Sequence, residues 1–132
     1  MEIDPSRLAE TCRREGIALL VLFGSRAAGT ARPDSDFDLA AQFDRPPEEL
    51  YDVAAAQGRL AQALDVPDER LDLVVLNTAS STTLRHQIAK GRCLYDRDGE
   101  RWGEFWFLAL MQYEDWKPYR RIFWHARFGS SR

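Results

Sequence analysis

Asp36 and Asp38 are the residues best placed to do chemistry in this 132-residue chain. They flank Phe37 and run directly into Leu39 and Ala40. In a strand, residues i and i+2 point the same way, so the two carboxylates share one face and Phe37 goes to the other. Two carboxylates side by side repel, and each disfavours ionisation of its neighbour. A sequence that sets them there has a cation to put between them, and oxygen-only donors suit a hard one such as Mg²⁺.

The elements around this pair are legible from pattern. Ile17 to Phe23 is a continuous apolar run, which reads as a buried strand. Gly24 and Ser25 follow at once, and Gly29, Pro33 and a polar stretch keep residues 24–35 from forming a long helix or strand. Glycine at 24 lets the backbone approach closely, and the Ser25 hydroxyl adds a donor. Residues 36–43 form the second strand. Asp34 follows a proline and precedes that strand, so it is assigned to a turn rather than to the acid pair.

This stretch resembles the nucleotidyltransferase superfamily related to DNA polymerase beta. The family pattern is Gly-Ser, a spacer, then Asp-x-Asp on a strand, with a third acid on a later strand. Gly24, Ser25, Gly29, Ser35, Asp36, Asp38 and Leu39 all fit it. The chain is also similar in size to the minimal nucleotidyltransferases of that superfamily, the MntA-like antitoxins paired with HEPN-domain toxins. The resemblance implies that Gly24 and Ser25 grip nucleotide phosphates, using exposed N–H groups and the positive end of a short helix. Relatives carry an arginine where this chain has Ala28; Arg26 or Arg32 is the candidate replacement, and Arg26 is assigned to nucleotide binding.

Leu71 to Leu76 reads as a third strand, interrupted by Asp72. An acid inside an apolar strand is costly unless it is paired or sits at the sheet's end. Two explanations compete. Asp72 forms a structural ion pair with a nearby arginine such as Arg70, or it is the third metal carboxylate that the family places beside the Asp-x-Asp strand. The resemblance favours the second. Asp36, Asp38 and Asp72 are therefore the expected catalytic and metal-binding set, holding two Mg²⁺ ions about 3.5–4 Å apart as in two-metal sites generally, with ATP as substrate.

The remaining elements frame this centre. Asp4-Pro5 opens a helix that Gly16 ends, with Leu8, Ala9 and Cys12 on one face. Pro46-Pro47-Glu48-Glu49 reads as the start of a second helix, with a core stripe of Leu50, Val53, Ala54, Gln57, Ala61 and Leu64. Ser80 or Ser81 caps a helix carrying Leu84 and Ile88 and ended by Gly91. His86 lies on it with no second metal-ligand residue at the right spacing, so it is read as a surface or supporting residue; His125 has equally weak claims. Cys93-Leu94-Tyr95 reads as a short strand. The order helix, strand, motif loop, strand, helix, strand, helix, strand, helix, together with the resemblance, gives an α/β (α+β) fold: a small mixed sheet with helices packed mainly on one side. One domain spanning residues 1–132 is expected from length.

Composition excludes several classes. A formal net charge of −3 argues against a non-specific grip on long nucleic acid, which needs a strongly basic face. No run of apolar residues approaches membrane-spanning length. The two cysteines, Cys12 and Cys93, form no CxxC or His-Cys cluster, so neither a structural zinc site nor a disulfide framework is expected, and a reducing cytoplasm fits. Lys90 and Lys117 are the only lysines, so the basic character is arginine.

Residues 100–128 differ from the rest. All four tryptophans lie there, and the helical spacing puts Trp102, Phe105 or Trp106, Ala109 and Tyr113 on one face. An end or kink is expected near Pro118. A core lid and a partner surface are both open. The resemblance implies AMP transfer from ATP to a tyrosine hydroxyl on a HEPN-family RNase toxin, which silences it. A stand-alone transferase acting on a small hydroxylated molecule such as an aminoglycoside, and an antitoxin that acts by binding alone, are the alternatives.

Overall fold

The structure, a computed structural model, describes residues 3–113. The elements are α1 (Pro5–Glu15), β1 (Ile17–Phe23), α2 (Ser25–Ala28), β2 (Phe37–Phe43), α3 (Leu50–Leu64), a short 3₁₀ turn (Asp68–Arg70), β3 (Leu71–Val75), α4 (Thr82–Ala89), β4 (Arg92–Asp96) and α5 (Arg101–Gln112). The strands form one sheet in the order β3-β2-β1-β4. β1 runs antiparallel to both neighbours, whereas β2 and β3 are parallel.

Every residue of β1 is buried, as its unbroken apolar run requires of a central strand covered on both faces. A register shift between Ile17 and Leu19 changes the alternation there. Ile17, Leu20 and Leu22 therefore belong to one core, and Leu19, Val21 and Phe23 to the other. The first core lies under α1 and α3, through Leu8, Cys12, Ala56, Leu60 and Leu64. The second lies under α4 and α5, through Ile88, Ala89, Phe105 and Ala109. Each fully buried Leu or Ile contributes roughly 1.5–3 kcal/mol. The mixed sheet is as expected, but the helices divide between its two faces instead of packing mainly on one. The physical reason is β1 itself, which has no polar face to leave in water.

Local signals place the ends. Asp4 caps α1 by accepting from the Ser6 and Arg7 amides, and Gly16 closes it at φ 70°. Ser81 caps α4 through the Leu84 amide. The Asn77 side chain both donates to and accepts from the Phe43 backbone at 2.9 Å, fixing the exit of β3 to the end of β2. Burial pushes the Cys12 thiol up to about 12, so it is an inert core group.

Three expectations need correcting. α3 begins at Leu50, not at the two prolines, and its buried stripe is Ala56, Leu60, Ala61, Ala63 and Leu64. Leu50 and Tyr51 are 88% and 79% exposed. His86 is buried and stacks on Tyr113 with centroids 3.6 Å apart, so it is a packing residue and not a surface one. On α5, Phe105 and Ala109 are buried with Trp102 packed against their core, while Trp106 is exposed. Residues 114–128 of the segment, including Trp116, Pro118, Trp124 and His125, lie outside the described residues. Among the described residues no helix is long and apolar enough to cross a membrane.

Candidate active site

The face of the sheet under α4 and α5 carries the acids. On β2 the residues of that face are Asp38 and then Ala40, whose side chain is in the second core. On the parallel neighbour β3, Asp72 stands opposite Asp38 and Val74 opposite Ala40. The apolar rows are roofed by the helices, but the acid row is left uncovered: Asp72 is exposed and Asp38 half-buried. Asp36 is exposed in the loop two residues before Asp38. Parallel pairing thus brings Asp38 and Asp72, from separate segments, side by side on strands about 4.8 Å apart, and Asp36 adjoins them through the chain.

The charges feel one another. Asp38 is held above the usual aspartate range, first by burial, then by repulsion from Asp72 and from Asp36. None of the three makes an ion pair with Arg or Lys among the described residues. Arg70, the alternative partner for Asp72, is turned elsewhere. An all-carboxylate donor set short of positive charge fits a divalent cation with hard oxygen preferences. The described residues do not, however, draw three or more His, Cys, Asp or Glu side chains into a closed ligand set.

Gly24 sits at the end of β1, next to Phe23, which pairs with Asp38. Its φ of 75° and ψ of −157° belong to backbone space open essentially to glycine alone. A Cβ there would run into the Asp38 carboxylate. The glycine therefore does two things: it makes the turn, and it lets the backbone lie directly against the acid. Its carbonyl accepts from the Ala27 and Ala28 amides, starting α2 at Ser25. Gly29, at φ 77°, ends that single turn. Gly24, Ser25 and the acidic edge are thus neighbours, as the motif spacing implied.

Arg26 is placed differently. Its guanidinium lies 4.2 Å over the ring of Phe37, whose side chain is in the first core, on the face opposite Asp38. Its Nη2 donates to the Ser35 carbonyl at 2.8 Å and to that of Pro33 at 3.3 Å. Nη2 is thereby engaged by the backbone, and a phosphate contact from Arg26 would fall to its other N–H donors. Arg32 is exposed at the start of the Arg32–Ser35 turn, where its amide donates to Ser35 Oγ and its carbonyl accepts from the Ser35 amide. Asp34 lies inside this turn, as expected. Sequence reasoning offered Arg70 only as a partner for Asp72 and missed its contact with the motif loop. Its Nη2 reaches 37 positions back to the Pro33 carbonyl at 2.7 Å and also meets that of Ser35 at 3.0 Å. Nothing in an arginine two residues before an acid signals that contact.

Among the described residues, a surface cleft of about 390 Å³ lies between α1 and α3 and one of about 490 Å³ lies along α3, and neither is lined by these acids. What marks the acidic edge is its chemistry, three carboxylates without a cationic partner among the described residues.

The chain is similar to known proteins in sequence and in fold. The family model described as "Polymerase beta, Nucleotidyltransferase" matches residues 6–100, which hold every site residue above. The protein adenylyltransferase MntA of Aphanizomenon flos-aquae (strain 2012/KM1/D3) is 32% identical over 95 residues, 67% of this chain and 63% of that protein. The chain thus spans a little under two thirds of that relative's length. A crystal structure of a toxin–antitoxin with AMP-PNP superposes with a TM-score of 0.68 at 25% identity, covering 91% of this chain and 94% of that one. A chain of the tri-AMPylated Shewanella oneidensis HEPN toxin in complex with MNT antitoxin superposes at 0.61 and 23% identity, covering 89% and 90%, and shares the fold. With the Gly-Ser turn abutting an Asp-x-Asp strand and the match extending over most of its length, the chain belongs to the polymerase beta nucleotidyltransferase family.

Proposed function

We propose that this chain is an antitoxin that transfers AMP from ATP to a tyrosine hydroxyl of a HEPN-family RNase toxin, silencing it. The observation that carries the transfer chemistry is the register of Asp38 against Asp72, with Asp36 two residues away and no ion pair to neutralise them among the described residues. The adenylyl donor and protein acceptor are supported by similarity to the MntA adenylyltransferase and to the toxin–antitoxin with AMP-PNP. The tyrosine, the HEPN partner, the Mg²⁺ requirement and the cytoplasmic setting are our reading of the family resemblance.

Asp36, Asp38 and Asp72 would hold Mg²⁺. When bound, the metal supplies neutralisation of the triphosphate and a lowered pKa for the attacking hydroxyl. The acceptor oxygen attacks the α-phosphorus of ATP. A new O–P bond forms, the bond to the β-phosphate oxygen breaks, and pyrophosphate leaves. Gly24 and Ser25 hold the β- and γ-phosphates through first-turn amides that have no intrahelical acceptor. Asp72, exposed at the edge, would bind the metal that holds the attacking hydroxyl, whose proton passes to solvent water. No covalent intermediate on this chain is required; positioning and charge neutralisation carry the rate.

The test is label transfer to purified partner toxin. ATP labelled on the α-phosphate should mark the toxin, ATP labelled on the γ-phosphate should not, and Asp36→Asn should abolish marking. Transfer of γ-label would make the chain a kinase. Toxin neutralised by the Asp36→Asn chain as well as by wild type would favour action by binding alone.

A further inference from the structure

Two guanidinium groups from different parts of the chain grip the same two carbonyl oxygens. Arg26 comes from α2, just after the Gly-Ser turn, and Arg70 from the 3₁₀ turn that enters β3. Each donates from Nη2 to the carbonyls of both Pro33 and Ser35, at 3.3 and 2.8 Å for Arg26 and at 2.7 and 3.0 Å for Arg70. Neither makes an ion pair with a carboxylate among the described residues. Arg26 Nε is buried with no hydrogen-bond partner there. Setting two like charges side by side is unfavourable unless something fixed holds them, and these carbonyls are what they share. A hydrogen bond from a charged donor to a carbonyl is among the stronger ones.

The gripped segment matters because it leads straight into the acids. Ser35 precedes Asp36 directly, and Arg70 lies two residues before Asp72. Asp36 itself lies outside the β2 ladder, which begins at Phe37. Strand pairing therefore sets Asp38 and Asp72 but does not set Asp36. The geometry points to Arg70 and Arg26 as positioning residues: a double clamp that fixes the Pro33–Ser35 backbone, and so the entry of Asp36, relative to Asp72 on one side and the Gly24-Ser25 turn on the other. Arg26 acts from the face opposite Asp38, and the bonds of both arginines are to backbone carbonyls. Its consequence for rate rests on the nucleotidyl-transfer reading; its consequence for the loop does not.

Arg70→Met keeps the stem and removes the donors, and Arg70→Lys restores a cationic donor. Hydrogen exchange at the Arg32 and Ser35 amides, both bonded within the gripped turn, should accelerate about tenfold or more in Arg70→Met, as expected for losing bonds from a charged donor. Exchange in β1 should stay at the wild-type rate. In the same variant kcat for AMP transfer should fall about tenfold or more with KM for ATP little changed, since a misplaced acid costs rate more than binding, and Arg70→Lys should recover most of both. Should Arg70→Met fail to fold, Arg26→Met removes the other half of the grip without touching β3 and carries the same expectation. Unchanged exchange in the turn overturns the clamp, as does exchange that rises equally throughout the domain. Faster exchange with kcat unchanged overturns its bearing on Asp36. A wild-type chain with no transferase activity overturns the nucleotidyl-transfer reading instead, and the exchange measurement then decides the clamp alone.

Discussion

Gly24→Ala isolates the contact on which the site is built. The residue occupies φ 75° and ψ −157°, a region that costs an L side chain about 1–3 kcal/mol. The added methyl would also run into the Asp38 carboxylate, so either the turn or the acid must retreat. The stability loss alone corresponds to roughly 4 °C in melting temperature per kcal/mol for a chain of this size. The catalytic loss should be larger, because displacing a reacting group by about 1 Å costs on the order of a hundredfold in rate. Gly16→Ala is the matched control. Gly16 also has positive φ, at 70°, but a Cβ there meets nothing within 4 Å. That variant should lose about 1 kcal/mol of stability and keep wild-type transfer. The assay pairs melting curves, with and without Mg²⁺-ATP, with AMP transfer to the toxin at a temperature where both variants are fully folded. If Gly24→Ala transfers AMP as fast as Gly16→Ala, the close approach of the Gly-Ser turn to Asp38 has no role in catalysis.

Asp38 has a folded-state pKa above its unfolded value, so its ionised form weakens the apo fold at neutral pH; that penalty is relieved as pH falls through the raised pKa. Apo Asp38→Asn should therefore melt slightly above wild type at pH 7, by less than about 1 kcal/mol because the row is partly solvated, with the advantage vanishing on acidification. The same variant should lose the rise in melting temperature that Mg²⁺-ATP gives the wild type; a rise that survives the substitution would remove Asp38 from the metal set. For the C-terminal aromatic segment, Trp116→Ala or Trp124→Ala should weaken toxin association about thirtyfold, the equivalent of a roughly 2 kcal/mol anchor, with little change in melting temperature. A loss of roughly 3–5 kcal/mol in stability without separate loss of binding would mean a core lid instead.

Much of this protein is legible from pattern alone. The run from Ile17 to Phe23 is β1 to the residue, and Asp4 and Gly16 bound α1 as their capping chemistry requires. The motif, being contiguous, fixes Gly24, Ser25, Asp36 and Asp38 as neighbours along the chain. Such features are local: a cap, a turn and an alternation are decided within a few residues, so the one-dimensional string carries them. Asp72 is different, since two partners compete for it, and only the parallel register of β3 on β2 sets it opposite Asp38 and leaves Arg70 facing the Pro33 and Ser35 carbonyls. Tertiary structure likewise decides that Arg26 packs on Phe37, that His86 is buried against Tyr113, and that helices cover both faces of the sheet. Periodicity says which residues share a face; it does not say which face, or what from 37 positions away will lie against it, because burial and long-range hydrogen bonds are settled only when the strands find their register.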